Sequence, residues 1–328
     1  MAGLACADAL AERGLAVRLF DKGRGPGGRM STRRMAVGGC TVAFDHGAQY
    51  VTARDPAFVA QMQRWEASGV AARWPAAGED AWVGTPGMSA FVKAMAERHA
   101  VRWGCRVERI EHAADGWRLV GDELDEGGFD AVVIAVPAEQ VAALADPHAP
   151  EIAAAARASH SEPCYTVMAA FNAPLPAPDI LRAGDGLSEG SPLGWATRNS
   201  AKPGRDRQPE AWVLQATPDW SVAHLEEERD VITPALLTAL SEALGTPLPS
   251  PTIATAHRWR YARADARDDG ALWNEDQRIG ACGDWLMGPR VESAWLSGRA
   301  LRVRSRPSFD TQPYSCPPML PLGCGLVM

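Results

Sequence analysis

Asp21 ends the apolar run Val17-Arg-Leu-Phe20 and leads straight into Lys22-Gly-Arg-Gly-Pro-Gly-Gly-Arg-Met30. A carboxylate at the end of a buried strand accepts hydrogen bonds from the adenosine ribose of a dinucleotide. Gly27 and Gly28 let backbone approach phosphate, and Arg29 offers a planar fork of donors. Dinucleotide binding is the chemistry this spacing allows.

Such a carboxylate needs a strand–turn–helix before it. The segment Gly3 to Arg13, with Leu4, Cys6, Ala7, Leu10 and Ala11 on one stripe, reads as the helix. In a dinucleotide unit it follows a strand and a Gly-x-Gly-x-x-Gly turn. Taking Gly3 as the third glycine puts the first strand and two glycines upstream of Met1. On that reading the chain from Met1 binds its dinucleotide poorly or folds poorly, because the neighbouring strands lose a shared ladder partner. An ordinary helix–turn–strand start without nucleotide is the alternative.

Three ordered segments, Asp21 to Arg33, Phe44-Asp-His-Gly-Ala-Gln-Tyr50 and Gly280-Ala-Cys-Gly-Asp-Trp285, carry a resemblance over about residues 1 to 301. Together they resemble the FAD-binding segments of the renalase-like branch of the flavin amine oxidase superfamily. The resemblance implies noncovalent FAD and oxidation of dihydronicotinamide isomers of NAD(P), with dioxygen as acceptor giving hydrogen peroxide. The partners it implies are a dihydronicotinamide dinucleotide and dioxygen. Amine oxidases and desaturases share the superfamily, and a noncatalytic remnant is a third alternative. No lysine of the kind amine oxidases place near the flavin is assignable from the sequence.

The cofactor residues carried over are Gly3, Asp21, Lys22, Gly27, Gly28, Arg29, Gly47, Ala48, Val107, Asp284 and Glu292. Asp284 is expected at the ribityl chain. The helix opening at Arg290-Val-Glu-Ser-Ala is expected to aim its N-terminus at flavin N1 and the C2 carbonyl, where its dipole stabilises the charge of reduced flavin. Gly47 and Ala48 are expected to let backbone approach the ring, with Gln49 and Tyr50 facing substrate. His46, a lone histidine beside a carboxylate, reads as structural or as a phosphate neighbour more readily than as a base. Oxidising a reduced nicotinamide needs no strong base, because the departing hydride leaves an aromatic pyridinium.

The segment Trp195 to Arg205 joins an aromatic, the amide Asn199 and the cations Arg198, Lys202 and Arg205, which suits a ring carboxamide and phosphates or else a solvated loop. His257-Arg-Trp-Arg-Tyr261 alternates, so Trp259 and Tyr261 share one face, which the resemblance lays along the flavin. The candidate catalytic set is Gln49, Tyr50, Asn199, Trp259 and Tyr261. Cys282 is expected to pack.

With 328 residues and 46% hydrophobic composition, two domains and a large core are expected. A net charge of -7 argues against a nucleic-acid surface, and Arg29, Arg33 and Arg34 suit phosphates better. The longest apolar run, Ala131 to Ala138, is too short to span a bilayer, and Asp8, Glu12 and Arg13 break any signal-peptide pattern, so neither membrane nor export is indicated and a cytoplasmic address is expected. Seven cysteines show neither C-x-x-C nor metal-ligand spacing, so no metal is expected.

The expected class is α/β: a Rossmann-like FAD-binding domain, truncated at its start, with an inserted α+β substrate domain. The first comprises residues 1–58, 82–158 and 255–301, and the second 59–81 and 159–254. Strands are expected at Arg106 to Glu111, Trp117 to Val120, Ala131 to Val136, Tyr165 to Phe171 and Ala211 to Ala216, and Ile253 to Tyr261 leads back to Gly280. Helices are expected at Phe58 to Trp65, Pro86 to His99, Thr233 to Leu244 and Arg290 to Leu301. Residues 302–328 show no periodicity, and prolines at 307, 313, 317, 318 and 321 exclude a helix there, so an irregular tail without function is expected.

Overall fold

Ala131-Val-Val-Ile134 form a strand buried along its whole length, as an uninterrupted apolar run requires of an inner parallel strand. The computed structural model describes residues 1–182, 190–265, 267–301 and 323–328. It divides into two units.

The first unit contains Met1–Gly25, Met95–His160 and Ala264–Met328. Its main sheet has the order Leu272–Asn274, Ile279–Ala281, Ala131–Ile134, Gly323–Val327, Ala16–Asp21, Val101–Trp103. The pairings are parallel except for Leu272–Asn274. The helix Ala2–Ala11 is buried nearly all round, since it carries small and apolar residues on every side. It packs closely on the helix Val291–Ala300, where a Cβ on Gly298 would run into the Ala2 carbonyl. An antiparallel sheet of Arg109–Ala113, Gly116–Gly121 and Leu124–Phe129 adds Ile110, Trp117, Leu119 and Phe129 to the core. Its first strand starts at Arg109, later than expected, although Glu108 N already donates to Val120 O.

The expected irregular end needs correction at Gly323–Val327. These residues fill the inner position between Ala16–Asp21 and Ala131–Ile134, where the first strand of a dinucleotide unit belongs. The ladder position expected to be empty is occupied by a segment about three hundred residues away in sequence. Residues 302–322, the rest of the expected tail, lie outside the described residues.

The second unit contains Pro26–Ala94 and Ser161–Arg263. Its five-stranded sheet has the order Ile180–Arg182, Leu193–Arg198, Glu210–Ala216, Ser161–Phe171, Ile253–Ala264. Alternation divides the long strand Ser161–Phe171 between two cores. Val167, Ala169 and Phe171 pack with Ile232, Leu236 and Leu240 of the helix Arg229–Leu244. Met168 and Ala170 pack with Val42 and Phe44 of the hairpin Thr32–Val37/Cys40–Asp45. A three-stranded sheet of Val51–Thr52, Ala81–Gly84 and Ala71–Arg73 accompanies the helix Pro56–Ala67, whose N-cap Asp55 accepts from the amides of Ala57 and Phe58. The helix expected from Pro86 is confined to Ala90–Ala96. No described helix is long and apolar enough to cross a membrane.

Candidate active site

In the first unit, Asp21 stands at the C-terminal end of its strand, the edge where ligands of parallel α/β sheets bind. Its Oδ1 accepts from Gly23 N at 2.6 Å. Burial raises the carboxyl above its usual range, and the Gly23 amide and Lys22 charge oppose that rise. Lys22 is exposed, with Nζ 3.1 Å from Gln140 Oε1. Val107 packs in the core.

The segment Gly280–Trp285 leaves the sheet through a tight succession of contacts. Cys282 N donates to Ile134 O, and Gly283 N donates to Ser297 Oγ of the closing helix at 2.9 Å. Asp284 then opens a 3-10 turn and is 7% exposed. Glu292, 2% exposed in the first turn of Val291–Ala300, lies 3.5 Å from Arg290, a position where the helix dipole favours a carboxylate. Trp285 is buried, and its indole Nε1 has no hydrogen-bond partner among the described residues. A buried donor without an acceptor is costly in isolation. Gly3 sits under the side chains of the neighbouring strand: a Cβ there would meet Met328 Cγ at 2.5 Å and Leu326 Cδ2 at 2.9 Å.

In the second unit, Gly28 adopts φ +53°, a conformation that favours glycine. Arg29 Nη1 donates to Ala262 O at 3.1 Å, and its own carbonyl accepts from Ala48 N. A Cβ on Gly47 would run into that same carbonyl. The backbone of Arg29 therefore already demands a glycine at 47, independently of any ring.

The turn from Asp45 to Tyr50 rests on a buried charge cluster that no sequence motif marked. Asp45 Oδ1 accepts from Thr32 Oγ1 and Met88 N, while Oδ2 accepts from Arg205 at 2.6 Å and lies 3.4 Å from Lys202 Nζ. Asp45 and Lys202 side chains are 0% exposed. Burial pushes the Asp45 carboxyl up, but the Lys202 and Arg205 charges outweigh it and hold it at about 2. Burial pulls Lys202 down to about 8.

Gln49 is bound into this cluster. Its Nε2 donates to the carbonyls of Asp45 and Gly47, and its Oε1 accepts from Lys202 at 3.1 Å. Asn199, fully buried, accepts from Asp45 N and donates to Ala43 O. Both amides face inward and brace the turn. The loop cations are likewise engaged: Arg198 pairs with Asp179 and Glu210, and Lys202 and Arg205 with Asp45. The expectation of cations available to phosphates is corrected for these three side chains.

Aromatic groups flank the turn. Tyr50 lies 5.7 Å from Trp195 and 6.3 Å from Trp74, measured between ring centroids. Trp259 Nε1 donates to His46 O, and the His46, His257 and Trp259 rings form one cluster. Burial lowers both histidines to about 4, and His46 Nδ1 has no partner among the described residues. Along Ile253–Ala264, His257, Trp259 and Tyr261 are half-buried while Arg258 and Arg260 are exposed and pair with Glu226, as the alternation predicts.

Comparison with known proteins places these features in context. The model of the family "flavin containing amine oxidoreductase" matches residues 73–300, and that of an NAD(P)-binding Rossmann-like domain matches residues 1–65. Wild-type putrescine oxidase bound to putrescine is similar in structure, with a TM-score of 0.66, 14% identity, and coverage of 90% of this chain and 94% of that one. A structure named for protoporphyrinogen oxidase from Exiguobacterium sp. 255-15 gives a TM-score of 0.51 at 15% identity over 67% of this chain. This chain spans about half of that protein, 51%.

Proposed function

Because this chain belongs to the flavin containing amine oxidoreductase family and is an FAD-dependent oxidoreductase, we propose that it oxidises dihydronicotinamide isomers of NAD(P), with dioxygen as the final acceptor. The resemblance of Asp21 to Arg33, Phe44 to Tyr50 and Gly280 to Trp285 to the renalase-like branch supports this substrate. When bound, FAD accepts the hydride.

One observation carries the reading. Around the Asp45–Tyr50 turn Asp45 is held ionised at about 2 by two cations, His46 and His257 are weak bases at about 4, and Lys202, drawn down to about 8, is engaged with Asp45 and Gln49. Loss of hydride from a reduced nicotinamide requires no such base. Asp21, at the end of its strand, would hold the adenosine ribose of FAD, and Gly28 and Arg29 would face its phosphates. Lys22 and Val107 would border the adenosine side, Asp284 would hold the ribityl hydroxyls, and Glu292 with its helix start would order the ring's charged edge. Ala48 would keep backbone close, while Gly3 serves the packing of its helix on the sheet. Tyr50, Trp259 and Tyr261 offer faces to the nicotinamide, while Gln49 and Asn199 act by fixing the turn.

Amine oxidation is the second reading. Tyr50, Trp74 and Trp195 present aromatic faces that suit a cation as well as a ring. Anaerobic mixing of the FAD-loaded protein with 2- or 6-dihydro isomers, with ordinary 4-dihydro cofactor and with simple amines separates the two. The isomers are expected to bleach the flavin fastest. Rapid bleaching by an amine, with none by the isomers, would falsify the proposal in favour of amine oxidation.

A further inference from the structure

Within the second unit Tyr50 lies beside two indoles, Trp74 and Trp195, and both indoles already face a cation of the protein. Lys202 Nζ lies 5.5 Å from the Trp74 centroid. Arg182 Cζ lies 5.1 Å from the Trp195 centroid, and its Nη2 donates to Ala77 O at 3.0 Å. Each contact is within the range of a cation–π interaction.

The cation beside Trp74 belongs to a buried group whose charges do not cancel. Lys202 and Arg205 share Asp45 as their carboxylate, and their other acceptors are neutral: Gln49 Oε1 for Lys202, and the carbonyls of Gly84 and Pro203 for Arg205. The Asp45 and Lys202 side chains are 0% exposed and that of Arg205 is 3% exposed. Arg205 Nε has no hydrogen-bond partner among the described residues. Lys202, drawn down to about 8 by burial, still carries its charge at pH 7. Two cations against one anion leave a net positive charge in this cluster, beside the Trp74 ring. An interior charge of that sign attracts an anion, tolerates a neutral group and repels a second cation.

We infer that Lys202 determines the specificity of the aromatic set: its ammonium on Trp74 turns protonated amines away and leaves Tyr50 and Trp195 to neutral or anionic rings. The inference rests on the proposal that Tyr50 faces the substrate, and it narrows that substrate to compounds without a positive charge. A reduced nicotinamide ring is neutral and its phosphates are anionic, whereas a simple amine is a cation at pH 7.

Three planar probes of one shape test this, since benzoate, benzamide and benzamidinium differ chiefly in charge. Isothermal titration of the FAD-loaded protein at pH 7 is expected to rank them in that order, tightest first. A ligand charge on the Tyr50 side lies on the order of 12 Å from Lys202, where a unit charge at an effective dielectric of about 20 changes affinity roughly tenfold. Lys202→Gln removes the charge and keeps a polar contact with Asp45 and Gln49, while Lys202→Met removes both. In either variant benzamidinium is expected to bind about tenfold more tightly and benzoate about tenfold more weakly, with benzamide changed by less than about twofold. A lysine with a purely structural role would move all three probes the same way, and that result overturns the inference. Benzamidinium binding the unsubstituted protein as tightly as benzamide also overturns it, whether or not the variants fold. If neither benzoate nor benzamide binds, or if Tyr50→Ala leaves both unchanged, the premise that Tyr50 faces substrate falls and takes the inference with it. Absence of bleaching by the dihydronicotinamide isomers, with the charge order intact, removes that substrate and leaves the exclusion of cations standing.

Discussion

Asp45→Asn keeps the shape of the side chain and removes the one anion that Lys202 and Arg205 share. Two arguments set the size of the loss. Removing one partner of a buried ion pair costs about 3 to 5 kcal/mol, because the other charge stays behind without its counterion. Independently, a carboxyl held at about 2 instead of its ordinary 3.8 contributes about 2 kcal/mol of stability at neutral pH. A loss of about 2 to 5 kcal/mol corresponds to a fall in melting temperature of roughly 5 to 20 °C for a unit of this size. The assay is thermal unfolding at pH 7, followed by circular dichroism. Glu226→Gln is the control, since it removes an anion that also faces two arginines but at the surface, and it should shift melting by no more than about 2 °C. The sign with pH is also fixed. Asp45 has a depressed folded pKa, so its contribution is complete above about 4 and disappears as pH falls towards 2. The substituted protein should lack that leg of the acid transition. An Asp45→Asn protein that melts with the control refutes the argument that this cluster organises the turn.

His46 and His257 are held at about 4 by burial, below the ordinary 6.5. The unfolded chain takes up these protons first, so stability is full above 6.5 and falls as pH drops towards 4, by about 3 kcal/mol for His46 alone. Urea titrations at pH 7 and 4.5 should show that slope, and His46→Gln should flatten it. Asp21→Asn is expected to weaken FAD binding about ten- to a hundredfold, read by fluorescence titration, and unchanged affinity would remove this carboxylate from the ribose site. Gly47→Ala sets a Cβ against the Arg29 carbonyl and should destabilise by about 1 to 3 kcal/mol whether or not FAD is present; a penalty seen only with FAD would assign the glycine to the ring instead.

Much of the scaffold is written locally. The runs Val17–Phe20, Ala131–Ile134 and Tyr165–Phe171 are strands because continuous apolar or β-branched stretches need burial on both faces, and the alternation at His257–Tyr261 carries directly into the sheet. The Asp45 cluster was not legible. Asp45 and Lys202 are 157 residues apart, and each alone reads as an ordinary charge beside a turn. Arg198, Lys202 and Arg205 looked available because a sequence shows cations but not the carboxylates that face them. Gly47 was recognised as a close approach, yet the atom requiring it is the Arg29 carbonyl, which only the fold brings near. Gly323–Val327 carries two glycines in five residues and has little strand propensity. Its conformation is imposed by the two ladders that receive it.

That inner strand has a consequence for synthesis. The pairing of Ala16 with Gly323 spans nearly the whole chain, so this sheet has one of the most non-local contacts the sequence allows. At ribosomal speeds of about 5 to 20 residues per second, roughly 15 to 60 s separate the emergence of Ala16–Asp21 from that of its partner. Throughout that interval the strand Ala16–Asp21 presents an unpaired inner edge, the kind of surface on which chains associate with one another. Yield in cells should therefore depend on chaperone supply and growth temperature more steeply than equilibrium stability would indicate, and slowing initiation should favour soluble protein by keeping nascent chains apart.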